Sequence, residues 1–277
     1  MPTRKVSQTL IRTITGILLA LVFLACIYLG EVSSILFFLV AGVIACFEMA
    51  HALQATEIHC SPWPSSLLLI VLSAAALFDL PTTWSIIAIG IDVILVLSYA
   101  LFKKVAYKDV LGTLAITLYP MLFFLLFINV GRMPRMHRLP IMGVVIIGAS
   151  LCDIAAYFIG RFFGKHKMAP EISPKKTVEG SVAGIVFGTL SGIGTYWLMR
   201  ALGIDLPIAL FVIASFFCSV AGEVGDLCAS MIKRQAGVKD YGKILPGHGG
   251  IMDRADSFVF AMPVALLCFE LFFAFAV

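Results

Sequence analysis

Charged side chains are scarce in this sequence. Asp, Glu, Lys and Arg make up 13% of its 277 residues, against about 25% in a typical soluble domain, whereas hydrophobic residues make up 61%. This composition excludes a soluble globular protein. The seven cysteines form no Cys-x-x-Cys pair and fall mostly within apolar segments, so neither a disulfide framework nor a zinc site is expected. No internal repeat or low-complexity linker indicates a second, soluble domain.

Long apolar segments take the place of the missing charge. A helix needs about 17–25 apolar residues to cross a bilayer, and segments without alternating polarity do not describe a membrane β-barrel. The sequence therefore predicts an all-α, polytopic integral membrane protein with about nine transmembrane helices and a polar cleft that faces the cytoplasm. The candidate spans are 12–30, 33–53, 64–79, 84–102, 110–130, 139–160, 182–200, 206–232 and 256–276.

The basic residues predict the orientation of these spans, because Lys and Arg in short loops mark the cytoplasmic side. With nine alternating spans, all but four of the 20 Lys and Arg residues fall on one side, including Arg4, Lys5 and Arg12. We therefore expect the N-terminus and both long polar loops in the cytoplasm, and the protein in a bacterial cytoplasmic (inner) membrane. The four exceptions are Arg132, Arg135, Arg138 and Arg200.

The first polar stretch, 152–184, contains an acid within an apolar segment. Asp153 is costly there, so a functional role is the default hypothesis. The motif "SPKKT" that follows carries Lys175 and Lys176, for which anchoring to anionic lipid is the alternative interpretation. The next motif, "VEGSVAG", has small residues that permit close helix packing or backbone approach to a ligand.

The second polar stretch, 221–257, places acids near the ends of two neighbouring helices. Glu223, Asp226, Ser230 and Lys233 are spaced to fall along one helix face, and Asp253 and Asp256 open the last helix. Acids at a helix N-terminus also interact favourably with the helix dipole, which is their purely structural interpretation. Carboxylates from facing helices suit Mg²⁺, and the surrounding Lys, Arg and His suit phosphates. This combination is typical of phosphoryl or nucleotidyl transfer.

The segment 230–256, "SMIKRQAGVKDYGKILPGHGGIMDRAD", resembles the defining motif of the phosphatidate cytidylyltransferases, also called CDP-diacylglycerol synthases. The motif runs S-x-x-K-R, four residues, K-D, then L-P-x-H-G-G and D-R-x-D. Ala255 is the one departure, and it affects packing rather than chemistry. The resemblance covers roughly 150–257 and implies transfer of CMP from CTP to phosphatidic acid, with release of pyrophosphate, for phospholipid biosynthesis.

The resemblance also implies roles for individual residues. The expected metal ligands for Mg²⁺ are Asp226, Asp253, Asp256 and Glu223. The expected catalytic groups are Asp226, Asp253, Asp256, Lys233 and His248, with His248 acting electrostatically or by hydrogen bonding rather than as an obligatory base. The expected substrate-binding groups are Lys175, Lys176, Ser230, Arg234, Lys239, Asp240, Gly249, Gly250, Arg254 and Asp153.

Several features stay open at this point. The expected partners are CTP, phosphatidic acid and the lipid bilayer, with no nucleic acid, while a homodimer and a second, monovalent cation are left open. We expect an N-terminal set of about five membrane helices (1–138) and a catalytic region of about four helices with two polar loops (139–277). A CTP-dependent lipid kinase is one alternative. The other is an ion-coupled transporter that uses the intramembrane acids Glu48, Asp92, Asp153 and Glu223. The alternative interpretation of Glu48 and Asp92 is that they only pair with neighbouring helices or backbone groups.

Overall fold

The computed structural model describes residues 8–275, apart from the side chains of residues 8–13 and of Thr82. Arg4 and Lys5, on which part of the orientation argument depends, lie outside the described residues, as does the side chain of Arg12. The helices are α1 (Gln8–Leu29), α2 (Glu31–Gln54), α3 (Trp63–Leu77), α4 (Thr82–Lys103), α5 (Tyr107–Ile116), α6 (Leu122–Arg132), α7 (Arg135–Phe163), α8 (Val178–Ala201), α9 (Ile208–Gln235) and α10 (Met252–Phe275). Two short strands are β1 (Lys167–Ala169) and β2 (Ser173–Thr177).

Seven helical segments of the described chain are long and apolar enough to cross a membrane. They are α2, α4, α5 continued into α6, and α7 to α10. Large apolar side chains are exposed on them, as at Leu101 and Phe102 of α4, because lipid rather than water is their solvent. The predicted all-α, polytopic membrane class is confirmed. The remaining two candidate spans correspond to shorter apolar helices, Ile14–Leu29 and Trp63–Leu77, so the count of nine stays a prediction, as does the cleft.

The segment from α5 to α6 is interrupted midway. Residues Thr117–Met121 form a wider turn in which Tyr119 leaves the helical conformation (φ −155°, ψ 109°). Pro120 follows it and supplies no backbone N–H for a helical hydrogen bond. Proline is a common cause of kinks in long helices. The single span predicted over 110–130 is therefore a kinked pair of helices.

Packing divides the described chain into two compact units. The first comprises the chain up to Ile128 together with Ala236–Arg254, and the second comprises Asn129–Gln235 and the chain from Ala255 onward. The predicted functional division into 1–138 and 139–277 stays a prediction, because these units are defined by packing alone.

In the first unit, α2 packs closely against its neighbours. At Gly42 an added Cβ would lie 2.6 Å from Leu69 Cδ2 of α3 and 2.8 Å from Phe124 Cβ of α6. Half of the most apolar window of α2 is buried in the interior. Interiors at this density leave side chains little freedom to move. A polar group on the buried face of α2 is therefore held firmly in place.

In the second unit, α8 is joined to its neighbours through glycines that recur every fourth residue. An added Cβ at Gly184 would lie 2.8 Å from the Cys152 carbonyl oxygen of α7. An added Cβ at Gly192 would lie 2.6 Å from the Phe211 carbonyl oxygen of α9. Small residues at this spacing allow membrane helices to approach backbone to backbone. The glycines of this face are Gly180, Gly184, Gly188 and Gly192.

The helix-only expectation missed a β-hairpin between α7 and α8. Strands β1 and β2 pair antiparallel, with Lys167 opposite Thr177 and Ala169 opposite Ser173. The two strands have three and five residues, too short for an alternating polar and apolar pattern to stand out in the sequence. Their polar composition indicated a loop.

The segment 131–138, "GRMPRMHR", contains a buried arginine that joins the two sides of the turn between α6 and α7. Arg138 is 7% exposed, and its Nη1 donates to the Gly131 carbonyl oxygen at 3.1 Å. A carbonyl at the end of a helix lacks a partner within that helix. Arg138 thus has a structural role at a site where the orientation argument found an exception.

Candidate active site

The hairpin between α7 and α8 is fixed by the first turn of α8. Glu179 accepts hydrogen bonds from the backbone N–H of Lys165 and His166, at 3.1 and 3.2 Å, and its Oε1 lies 2.6 Å from His166 Nδ1. Thr177, the last residue of β2, caps α8 by accepting from the Gly180 N–H at 3.2 Å. Threonine is a favourable helix cap. The end of β2 is therefore held against α8.

Successive side chains of a β-strand point to opposite faces, so the two lysines of β2 lie on opposite sides of the strand. Lys175 is exposed, whereas the side chain of Lys176 is 17% exposed. Lys176 Nζ lies 2.6 Å from Glu223 Oε2 and 2.8 Å from Asp226 Oδ2, both on α9. The hairpin therefore delivers one ammonium between two carboxylates that lie about one helical turn apart.

Two hydroxyl groups complete this group of side chains. Ser181 of α8 donates to Glu223 Oε2 at 3.4 Å, and Ser230 of α9 donates to Asp226 Oδ1 at 3.4 Å. We call Lys176, Glu223, Asp226, Ser181 and Ser230 the Lys176 cluster. Burial on its own would lower the pKa of the Lys176 ammonium, but the carboxylates of Asp226 and Glu223 more than compensate and hold this pKa above its ordinary value of 10.5. Lys176 is therefore cationic throughout the physiological range.

A hydrogen bond and a further ion pair of the second unit involve α7, α9 and α10. Ser257 donates to Asp153 Oδ2 at 3.1 Å, which gives the intramembrane acid of α7 a partner on α10. Lys233 Nζ lies 4.0 Å from Asp256 Oδ2. The second unit thus gathers acids from three helices and lysines from β2 and α9.

In the first unit, the turn 241–253 is organised by two carboxylates. Asp253 Oδ2 accepts from the backbone N–H of Tyr241 at 2.8 Å and of Gly250 at 3.0 Å. Glu48 of α2 accepts from the N–H of Ile251 at 3.1 Å and of Met252 at 2.8 Å. Of the two interpretations of Glu48, an ion pathway or pairing with a neighbouring helix or backbone group, these contacts support the second.

Two glycines give this turn its backbone path. Gly247 and Gly249 have φ values of 77° and 84°, in the left-handed region that favours glycine. Between them, His248 donates its N–H to the Leu245 carbonyl oxygen at 2.9 Å. The buried Nδ1 of His248 makes no hydrogen bond with the part of the chain that the structure describes.

The remaining residues implied by the resemblance lie at the surface. Arg234 donates from Nε to the Ile172 carbonyl oxygen at 3.2 Å, which links α9 to the hairpin. Asp253 belongs to the first unit and Asp226 to the second, so the expectation that they face one another stays a prediction. The exposed residues are Lys175, Arg234, Lys239, Asp240 and Arg254.

The acid cited for the transporter alternative on α4 also has a partner. Asp92 is 9% exposed and accepts from the Thr117 hydroxyl at 3.5 Å, and Thr117 is 2.8 Å from the Ser65 hydroxyl. These contacts join α3, α4 and the kinked segment. Asp92, like Glu48, thus has a partner within the first unit, and neither acid needs an ion pathway to explain it.

The Lys176 cluster has the donor chemistry of a magnesium site. Mg²⁺ prefers oxygen ligands and is usually held by one or two carboxylates, with water and substrate phosphates completing its shell. Glu223 and Asp226 already hold an ammonium between them, so this position accommodates a cation. Among the residues with described side chains, no group of three or more His, Cys, Asp and Glu could hold a metal ion.

The fold defines a polytopic membrane protein, and the charged groups of its second unit are contributed by α7, β2, α9 and α10. The model of the cytidylyltransferase family matches residues 10–272, and the chain belongs to that family. The resemblance inferred from the motif is confirmed.

Curated relatives match along nearly the whole chain. It is 34% identical over 272 residues to the phosphatidate cytidylyltransferase of Bacillus subtilis (strain 168), covering 94% of this chain and 97% of the relative. It is 33% identical over 260 residues to the enzyme of that name from Staphylococcus haemolyticus, covering 92% and 96%. A relative of the same name from Staphylococcus aureus (strain COL) is 30% identical over 263 residues, with the same coverage.

Proposed function

We propose that this chain is a nucleotidyltransferase that transfers CMP from CTP to phosphatidic acid, giving CDP-diacylglycerol and pyrophosphate. The observation that carries this proposal is the match with relatives of that activity over 97% of the Bacillus subtilis protein's length. The buried Lys176 cluster adds chemical support, because a membrane helix carries such charges at a cost that a functional site explains.

The reaction requires one bond to form and one to break. An oxygen of the lipid phosphate attacks the α-phosphorus of CTP, and the bond from that phosphorus to the β-phosphate oxygen breaks, releasing pyrophosphate. The lipid phosphate is already ionised at neutral pH, so no strong general base is needed. The protein contributes positioning and neutralisation of charge, which dominate catalysis of phosphate transfer.

Nucleotidyl transfer generally uses a divalent metal ion, and Mg²⁺ would neutralise phosphate charge and orient the triphosphate. Glu223 and Asp226 would hold it, and Asp253 and Asp256 keep the ligand role that the resemblance implies. Lys176, which lies between the first two carboxylates, is proposed to bind a phosphate oxygen of a substrate. A second, monovalent cation stays an untested prediction.

The basic residues of the two polar stretches are proposed to bind the phosphates. Lys233, Arg234, Lys239 and His248 would hold the triphosphate and the leaving pyrophosphate, and Lys175 would meet a phosphate at the surface. The backbone of Gly249 would approach phosphate oxygens. Gly250, whose N–H donates to Asp253 Oδ2, keeps only the binding role that the resemblance implies. The proposed accessory binding residues are Asp153, Ser230, Asp240 and Arg254.

The two substrates explain the architecture. Phosphatidic acid is confined to the bilayer with its phosphate at the interface, whereas CTP is soluble in water. A charged site at the ends of membrane helices brings the two together. The bacterial relatives and the distribution of basic residues support a bacterial cytoplasmic membrane and a site facing the cytoplasm. A homodimer stays an untested prediction.

The position of the transferred phosphorus tests this function. Purified protein in detergent is given Mg²⁺, phosphatidic acid and CTP labelled at either the α- or the γ-phosphate. We expect label in the lipid fraction from the α-position and none from the γ-position. Label transferred only from the γ-position would instead identify a lipid kinase.

A further inference from the structure

The start of α10 is held by a carboxylate from a helix distant in sequence. The first N–H groups of a helix lack partners within the helix and need an acceptor. At α10 the acceptor for Ile251 and Met252 is Glu48, more than 200 residues earlier in the chain. A Ser, Thr, Asp or Asn at position 251 would cap the helix locally. Unlike a local cap, Glu48 also connects this helix end to α2.

The turn leaves room for this carboxylate at two glycines. A Cβ added to Gly242 or to Gly250 would overlap the carboxylate of Glu48. Neither glycine has a positive φ, so backbone conformation does not require glycine at these positions. Close approach of Glu48 is the physical reason for both. The turn 241–253 thus closes around the end of the Glu48 side chain.

Glu48 and Asp253 hold the same short stretch of backbone. Asp253 accepts from Gly250, and Glu48 accepts from the next two residues, Ile251 and Met252. Three successive N–H groups are therefore directed to two carboxylates. Loss of the Glu48 interaction would loosen the backbone from which the Asp253 side chain extends.

Burial restricts Glu48 to an indirect role. It is 5% exposed, and both carboxylate oxygens accept backbone hydrogen bonds. It lies on the face of α2 that packs in the interior of the first unit. A group with these contacts acts through the turn rather than on a phosphate.

We propose that Glu48 is a positioning residue for the reaction, which anchors the turn 241–253 and the start of α10 to α2 and so orients Asp253. This inference rests on the proposed function for its catalytic consequence, whereas the anchoring itself does not. Supporting groups around ligands of this kind typically contribute about 10- to 100-fold to activity.

The test compares Glu48→Gln with Asp92→Asn, an isosteric change at the other buried acid of the first unit. Gln keeps the shape of Glu48 but turns an N–H₂ group towards one backbone N–H. We expect kcat for label transfer from α-labelled CTP to fall about 10- to 100-fold, with the KM for phosphatidic acid within about twofold of wild type. Amide hydrogen exchange in peptides covering 241–253 should become faster. The Asp92→Asn variant should change neither.

A second pair of variants keeps the test independent of overall stability. Gly242→Ala should lower kcat in the wild-type background and should have no further effect in Glu48→Ala, where the overlap is gone. Such non-additivity is the signature of direct contact. Unchanged kcat and exchange in Glu48→Gln would overturn the proposal, as would equal losses of kcat in Glu48→Gln and Asp92→Asn.

The exchange measurement separates this inference from the proposed function. It needs no substrate, so it reports on the anchoring of the turn whatever reaction the protein catalyses. If wild-type protein transfers no label to lipid while Glu48→Gln accelerates exchange in the turn, the function is wrong and the anchoring is right. If label transfer is normal and exchange is unaffected by Glu48→Gln, the function stands and the anchoring is wrong.

Discussion

Replacement of Lys176 by Met tests the electrostatics of the Lys176 cluster. The substitution keeps an unbranched side chain that reaches as far as the Lys Cε and removes the ammonium that lies 2.6 and 2.8 Å from the carboxylates of Glu223 and Asp226. Removal of one partner from a buried ion pair costs about 3–5 kcal/mol. The side chain of Glu223 is 4% exposed but that of Asp226 is 26% exposed, so water screens part of the effect. We expect the free energy of unfolding to fall by about 3 kcal/mol.

The assay is reversible unfolding in mixed micelles without added Mg²⁺. The pKa of Lys176 is raised on folding, so the stability that its charge contributes is fully present below the ordinary, unfolded pKa of 10.5 and is lost only as the pH rises through the higher folded value. Titration of Lys176 therefore leaves this contribution constant between pH 7 and 9.

Two further variants sharpen the result. Lys175→Met removes the exposed neighbour on the same strand and should change the unfolding free energy by less than about 0.5 kcal/mol. Adding Glu223→Gln to Lys176→Met removes the uncompensated charge and should restore part of the loss. A Lys176→Met variant as stable as Lys175→Met would refute the reasoning, and so would a double variant that recovers nothing.

The remaining predictions concern helix packing and the chemistry of the site. Gly192→Ala should lower the free energy of unfolding by about 1–3 kcal/mol, because the added Cβ would contact the Phe211 carbonyl. Gly194→Ala is the control, because a Cβ at that position would meet nothing within 4 Å. Similar unfolding midpoints for the two variants would contradict this prediction. Asp226→Asn should lower label transfer by at least about 100-fold while the protein stays folded, and near-normal turnover would remove Asp226 from the site. Chelation of divalent ions should abolish label transfer, and added Mg²⁺ should restore it. Full transfer in the presence of excess chelator would contradict the metal requirement.

The membrane helices were predictable because apolar length is a local property of the chain. The kink at Tyr119 and the hairpin before α8 were not, since each depends on a few residues whose local pattern resembles an ordinary span or loop. Glycine spacing on α8 indicated close packing, but the carbonyl oxygens that the glycines meet belong to other helices.

The candidate site, too, was only partly predictable from the sequence. Helical periodicity placed Glu223 and Asp226 on one face of α9, and the motif supplied a chemical interpretation. Nothing in the local pattern indicated that Lys176, rather than Lys175, would meet these acids, because the choice depends on the side of β2 that faces α9. The contact of Glu48 with α10 spans more than 200 residues of sequence and needed the tertiary structure.

The products formed from CTP and phosphatidic acid test the central claim most directly. Protein reconstituted in vesicles with both substrates and Mg²⁺ should yield CDP-diacylglycerol and pyrophosphate in equal amounts, measured by mass spectrometry and a pyrophosphate assay, and the Asp226→Asn variant should yield neither. Formation of CDP with a phosphorylated lipid, or of equal product by wild type and variant, would contradict the account.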